Sequence, residues 1–306
     1  MKEMIRKLRK YLQPTPVISE QDYQKGLEAL SHIQHLEIPA GDFTKTVWMY
    51  WDSGLDNAPE VVQLSYKSWV TQNPDYQVIL LNEVNISDIL GFNFNDVFNC
   101  FTVDLKAAGK SDFLRIFLLY KFGGVWADAT SFCLKPLDQW LDMENTPFFS
   151  FREKYSDDRQ LVSWFLAARQ GAVIPKRLLE VAIEYLYQPH RKQKLEIRGL
   201  NTTRKLAARR NLISKAGSGY PLLEHLERKG FAPYFWLFYL FNEVVSCDDQ
   251  AETWQQIQLL SNNYAELDDD FSQYRNAFIA KQTYRDKYVQ GERYQERITF
   301  LKQEIL

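Results

Sequence analysis

Asp112, Arg115 and Asp128 lie in the stretch GKSDFLRIFLLYKFGGVWADAT, residues 109–130, which is otherwise almost wholly apolar. Charge in such a setting is costly unless it is paired or liganded. Asp112 and Arg115 are three apart, which on a helix puts them on one side, so the simplest reading is an i,i+3 salt bridge. Asp128 follows two glycines and precedes Ala129 and Thr130. A lone carboxylate flanked by a small residue and a hydroxyl allows close approach of a cation that carries a diphosphate. Mg²⁺ and Mn²⁺ prefer oxygen ligands and take one or two protein carboxylates, with phosphate and water completing the shell.

The elements that must position these groups alternate. Ser19 and Asp22 form a capping-box pattern that opens a helix running to about Ile33. KTVWMYW (45–51) is a β-rich run that ends in Asp52-Ser53-Gly54, so it reads as a strand into a turn. Pro59 starts a helix carrying Val62, Tyr66, Trp69 and Val70 and stopping near Asn73-Pro74. DYQVILLN is a second strand ending at Asn82. Leu105 to Lys121 is a helix apolar on nearly every face, hence buried, and closed by Gly123-Gly124. VWADATSF reads as a third strand and PFFSF (147–151) as a fourth. Strand–helix alternation is the signature of a Rossmann-type α/β sheet, and ligands sit outside the carboxyl ends of its strands. That is where Asp128 falls. The second half reads as largely helical: an amphipathic helix from Pro175 to Tyr187, helical runs from Leu206 to Phe241 broken at Gly217–Gly219 and Gly230, and a long charged helical stretch from Asp270 onward.

Several chemistries are excluded. Gly109-Lys110-Ser111 imitates the end of a phosphate-binding P-loop, but the required glycine five positions earlier is Asp104, and the triplet lies within a helical pattern. No GxGxxG follows a strand and no GxSxG occurs, which removes the dinucleotide and simplest serine-hydrolase readings. A net charge of −2 offers no field for nucleic acid. Three widely spaced cysteines form neither a disulfide framework nor a zinc pattern, and a reducing cytoplasm is the simplest setting. His32 and His35 are spaced as a solvated helix face rather than a metal pair. MKEMIRKLRKYLQ lacks the apolar core of a signal peptide; it is a solvated basic helix or a weak anchor on an anionic inner leaflet. HRKQKLEIRGLNTTRKLAARR (190–210) is a basic connector or a surface for an anionic partner. The apolar run FAPYFWLFYLF (231–241) is too short to span a bilayer and reads as a buried helix or an aromatic pocket wall.

A Ser-Asp-x-x-Arg segment (Ser111 to Arg115), an apolar helix, and then Gly-Gly-Val-Trp-Ala-Asp (Gly123 to Asp128) resemble the signature of sugar transferases with a D-x-D motif. The match is to glycosyltransferase family 32 and the bacterial capsular polysaccharide synthesis proteins. VWMYWDSG (47–54) and Leu80-Leu81-Asn82 fit the capsular group. The resemblance is specific over about Thr44 to Leu141 and thin beyond Gly171.

This resemblance implies a GT-A-like mixed sheet, with an N-terminal helical segment (1–42), a nucleotide-sugar core (43–170) and a helical acceptor-side region (171–306) packed on it. It implies a retaining hexosyltransferase that uses a nucleoside diphosphate sugar, foremost a UDP-sugar, and a surface-glycan acceptor on a lipid carrier. The setting implied is cytoplasmic, with peripheral contact at the inner membrane face and no nucleic-acid partner. Asp112, Arg115 and Asp128 are the implied catalytic residues. Trp48, with Trp51 as its substitute, stacks on the base, while Asn82, Ser111, Trp126 and Ala127 complete the donor site. Asp128 and Thr130 hold Mn²⁺ or Mg²⁺. The last acid of D-x-D is Thr130 here, so Asp138, Glu153, Asp157 and Asp158 are candidates to complete the metal site. The glycines of AGSGYP (216–221) read first as an ordinary helix-linking turn and second as a diphosphate contact. Two rivals are a non-catalytic nucleotide-sugar-binding or scaffold component of a glycan assembly complex, and a metal-dependent sugar-phosphate transferase or hydrolase.

Overall fold

The computed structural model describes residues 18–152, 159–191, 194–199, 219–260 and 271–306. A five-stranded mixed sheet forms the centre, built from β1 (Thr46–Tyr50), β2 (Gln77–Leu81), β4 (Gly124–Ala127), β6 (Phe148–Arg152) and β7 (Leu161–Ala168) in the order β2-β1-β4-β7-β6. β1 runs parallel to β2 and to β4, while β7 is antiparallel to both β4 and β6. This is a mixed α/β sheet, as the family resemblance implies. The parallel pairs need helical crossovers. Helix α2 (Glu60–Gln72) links β1 to β2, and α3 (Ala107–Phe122) leads into β4, after α1 (Glu20–Gln34) has opened on the Ser19 cap, whose Oγ accepts from the Asp22 amide at 3.1 Å. The remaining strands are β3 (Val103–Asp104), β5 (Ser131–Cys133), β8 (Leu195–Arg198), β9 (Phe231–Pro233) and β10 (Ile279–Lys281).

Gly123 and Gly124 turn α3 into the sheet for two reasons. Their φ angles are +69° and +90°, in the region that favours glycine. A Cβ on Gly124 would also lie 2.5 Å from the Thr46 carbonyl oxygen, and one on Gly123 would lie 2.7 Å from the Gln170 amide. The helix therefore enters the sheet at a fixed angle, with Phe113, Phe117, Leu118 and Leu119 fully buried beneath it.

Two sequence expectations change. VWADATSF is not one strand: the chain leaves the sheet after Ala127, turns at Asp128-Ala129-Thr130 with the Ser131 amide on the Asp128 carbonyl at 2.9 Å, and resumes as β5. The reason is that β5 pairs outside the central sheet. Its partner is β10, antiparallel, with Lys281 opposite Ser131. The charged stretch after Asp270 is likewise not one long helix. β10 interrupts it between Phe271–Asn276 and two short helices, Asp286–Val289 and Glu292–Phe300. β8, within the basic stretch, pairs in parallel with β3 and β9 in a small second sheet. The apolar run from Phe231 becomes β9 and then a buried helix, Trp236–Ser246. Among the described residues no helix is long and apolar enough to cross a membrane.

Candidate functional site

A cleft of about 620 Å³ opens at the carboxyl end of β1 and β4. Its floor is charged. Arg115, 5% exposed, is the hub: one terminal nitrogen (Nη2) lies 3.1 Å from Asp112 Oδ1 and 3.4 Å from Asp128 Oδ1. That nitrogen also donates to Ser111 Oγ at 3.2 Å, Nε donates to the Ser111 carbonyl at 3.2 Å, and the other terminal nitrogen donates to the Ser163 carbonyl on β7. The guanidinium sits 5.0 Å from the Trp126 ring, whose Nε1 donates to Asp128 Oδ1 at 2.9 Å. Helix α3 and the end of strand β4 thus bring three charges, spread over 17 residues of the chain, into one network. Its planar, multi-donor form suits arginine rather than lysine to this role.

A fourth charge completes the floor. Lys281, at the end of β10, donates to Asp128 Oδ2 at 2.6 Å and to Thr130 Oγ1 at 3.0 Å. Burial pushes the Asp128 carboxyl up, but Lys281 and Arg115, with the hydrogen bonds from Lys281 and Trp126, override it and hold it at about 2. Asp112 goes the other way: burial raises it, Arg115 lowers it and Asp128 raises it further, leaving it at about 6. Burial lowers the Lys281 ammonium from its usual value, against the pull of Asp128. Two carboxylates 16 residues apart in sequence therefore stand on opposite sides of their ordinary range. Perturbations of this size cluster at functional sites.

The cleft mouth is aromatic. Trp51 meets the exposed ring of Tyr284 edge-on at 5.3 Å. Tyr234, Phe235 and Phe238 form the facing wall, and Arg159 stacks 3.8 Å above Phe235. Of the run from Phe231 to Phe241, the part from Trp236 onward is the expected buried helix, and Tyr234, Phe235 and Phe238 supply the expected pocket wall.

The predicted site residues divide. Ser111, Asp112, Arg115, Trp126, Asp128, Thr130 and Trp51 line the cleft. Trp48 does not: it is 5% exposed, and its Nε1 donates to the Gly123 carbonyl at 3.0 Å, so it ties β1 to the glycine turn. Trp51 lines the cleft instead, because it lies just past the strand end while Trp48 lies within the buried strand. Asn82 also stands outside the lining; its Oδ1 accepts from the Val84 and Asn85 amides at 2.8 and 2.9 Å and shapes the turn after β2. Ala127 is wholly buried in β4, and Ala129 lines the cleft instead. Gly109-Lys110-Ser111 lies inside α3, as expected of a P-loop imitation.

The residues present do not fit a divalent metal. Among the described residues no three His, Cys, Asp or Glu side chains gather into a metal-holding group. Lys281 Nζ lies between Asp128 and Thr130, the two oxygens expected to hold the ion. Asp138 is elsewhere, bonded to Lys45 at 2.6 Å and Tyr76 at 2.7 Å. Glu153, Asp157 and Asp158 lie outside the described residues, as do the basic N-terminal residues 1–17 and Ala216–Ser218. Of AGSGYP, the Tyr220 amide is already taken, donating to Glu243 at 2.6 Å. In the basic stretch Arg191 is paired with Glu227 at 2.9 Å.

Lys281, Tyr284 and Arg159 are absent from the sequence reading. Tyr284 and Lys281 carry no local signal beyond the β-rich FIAK inside a charged stretch. The aromatic wall had one, its composition.

Residues 6–196, more than half the chain, match the family described as capsular polysaccharide synthesis protein. The chain belongs to this family. It is 31% identical over 153 residues to the O-glycosyltransferase braB of Annulohypoxylon truncatum, covering 45% of this chain and 36% of that protein. It is 32% identical over 170 residues to the glycosyltransferase afumC of Aspergillus fumigatus, covering 50% and 44%. It is 28% identical over 104 residues to an initiation-specific alpha-1,6-mannosyltransferase of Candida albicans, covering 32% and 27%. The chain spans less than half the length of each of these relatives. The family match contains α3, the glycine turn and Asp128, but ends before the aromatic wall and Lys281.

Proposed function

We propose that this family member is a retaining glycosyltransferase. It moves a hexose from a nucleoside diphosphate sugar, foremost a UDP-sugar, to a surface or capsular glycan on a lipid carrier, working in the cytoplasm at the inner membrane face. The observation that carries this reading is the Asp112–Arg115–Asp128 network at the end of β4, set in a cleft with an aromatic mouth. The names of the relatives support glycosyl transfer.

The chemistry asks for little nucleophilic machinery. The acceptor hydroxyl oxygen bonds to the anomeric carbon. The bond from that carbon to the diphosphate oxygen breaks with its electron pair on the diphosphate, which also receives the acceptor's proton. What the protein supplies is charge placed in advance where negative charge accumulates. Arg115 and Lys281 are that charge. Asp112, pushed up by burial, accepts hydrogen bonds from the sugar hydroxyls, and Trp51 with Tyr284 takes the base. No step runs through a metal.

A donor screen read out by nucleotide release tests this. Release from UDP-glucose, UDP-galactose or GDP-mannose together with a sugar-linked product is the expected result, lost in Asp128→Ala. Equal turnover in Asp128→Ala would remove the site assignment. Thr130 in place of a second acid favours one other reading, a nucleotide-sugar-binding scaffold, and donor binding with no release in the presence of acceptors would select it.

A further inference from the structure

We infer that the Lys281 ammonium is the resident cation of this cleft, held by Asp128 and Thr130 to bind the donor's diphosphate, so that nucleoside diphosphate binding needs no divalent metal. The inference rests on the donor-site reading above and deepens it.

Position comes first. Lys281 is not a mobile surface lysine. β10 pairs with β5 directly after the Asp128–Thr130 turn, and the Gln282 amide donates to the Thr130 carbonyl at 2.8 Å. Backbone pairing on the next residue thus sets the distance between the lysine and the turn. Its side chain is 22% exposed and lines the cleft, so its charge is only partly screened by water.

Occupancy comes second. The ammonium lies 2.6 Å from Asp128 Oδ2 and 3.0 Å from Thr130 Oγ1. A divalent cation binds such oxygens at about 2.0–2.6 Å. An ion bridging these two oxygens would collide with Nζ and meet a like charge in a weakly screened site. The other oxygen of Asp128 is engaged by Trp126 and Arg115.

Charge comes third. Asp52, Asp112 and Asp128 line the cleft with Arg115, Arg159 and Lys281. Among the described residues three carboxylates thus face three cations, and no negative surplus draws in a metal. A diphosphate, in contrast, brings its own negative charge to a cleft where two cations stand at the floor. An ammonium has three N–H donors. Among the described residues two of those on Lys281 are engaged, by Asp128 and Thr130, which leaves one for a phosphate oxygen.

The test is calorimetric binding of UDP and of GDP to the full chain, in excess EDTA and in excess MnCl₂, with free Mn²⁺ followed separately by electron paramagnetic resonance. Wild type binds one of the two nucleotides with affinities in EDTA and Mn²⁺ within about twofold of each other, and takes up no Mn²⁺ without nucleotide. Lys281→Ala loses about tenfold or more in EDTA and regains part of it with Mn²⁺, because Asp128 and Thr130 are released to bind the ion. Lys281→Arg keeps most of the EDTA affinity. A wild type whose affinity rises tenfold or more with Mn²⁺ overturns the inference and leaves the transferase reading standing, as does a folded Lys281→Ala that binds like wild type. If Lys281→Ala does not fold, the EDTA and Mn²⁺ comparison on wild type and Lys281→Arg decides. Failure of both nucleotides to bind under either condition removes the donor-site reading itself, and this inference with it.

Discussion

Two lysine–aspartate pairs in this molecule have the same contact distance, 2.6 Å, and different physics. Lys281 and Asp128 are 22% and 24% exposed on the cleft floor; Lys45 and Asp138 are 48% and 52% exposed on another face. At the surface, water and salt screen the attraction, and holding two long side chains in place costs entropy, so such pairs contribute little. In the cleft the same contact sits in a poorly screened site, couples to Arg115 and Trp126, and drives the Asp128 carboxyl to about 2. A distance alone does not identify a functional ion pair; burial and the number of charges sharing it do. Asp138, a candidate metal carboxylate by sequence, belongs to the ordinary class.

The largest expected effect breaks the cleft network at its hub. Arg115→Ala leaves Asp112 and Asp128 without their shared partner, and loss of one member of a buried ion pair costs about 3–5 kcal/mol. Chemical denaturation should show a loss of that size, and a loss under 1 kcal/mol would place the cleft pair in the same class as the surface pair.

A double-mutant cycle sharpens the contrast next. Coupling between Asp128→Asn and Lys281→Gln, read from the same denaturation curves, should be about 1–2 kcal/mol, inside the range of about 0.5–3 kcal/mol for contacting residues in one network. The matching cycle on Asp138 and Lys45 should show none that can be measured. Equal coupling in the two cycles would remove the distinction.

Acid pH separates the two carboxylates of the cleft. Asp112 titrates at about 6 in the folded chain, above its ordinary value near 3.8, so its ionised form costs stability at neutral pH, and that cost is relieved progressively as pH falls from about 6 and is gone below 3.8. Asp128, at about 2, contributes stability that is fully present above 3.8 and is lost as pH falls toward 2. Nucleotide-sugar turnover should therefore decline as pH drops through about 6, while Asp128 stays ionised. Asp112→Asn should lower turnover and flatten that limb. A limb that persists unchanged in Asp112→Asn would assign it to another group.

The smallest effect is expected at the surface. Lys45→Ala should leave melting temperature, nucleotide affinity and their salt dependence as in wild type, and a clear loss of affinity would show that this pair also serves the site.

The charged half of the cleft was legible because its residues are local. Asp112, Arg115, the glycine pair and Asp128 fall within 17 consecutive residues, and helix periodicity with the strand-end rule puts them together. Trp48 and Trp51 were not separable by type. Three positions apart, one is buried on the strand and the other stands just beyond its end, and only the packed sheet shows which is which.

By itself the sequence determined the α/β class, the helix–Gly-Gly–strand unit and the acid–base pair it carries, since each follows from periodicity, glycine conformation and the cost of burying charge nearby in the chain. Only the tertiary structure decided that Lys281 meets Asp128. The two residues are 153 positions apart, joined by the pairing of β10 with β5, and no local pattern records a contact made by strand pairing across that distance.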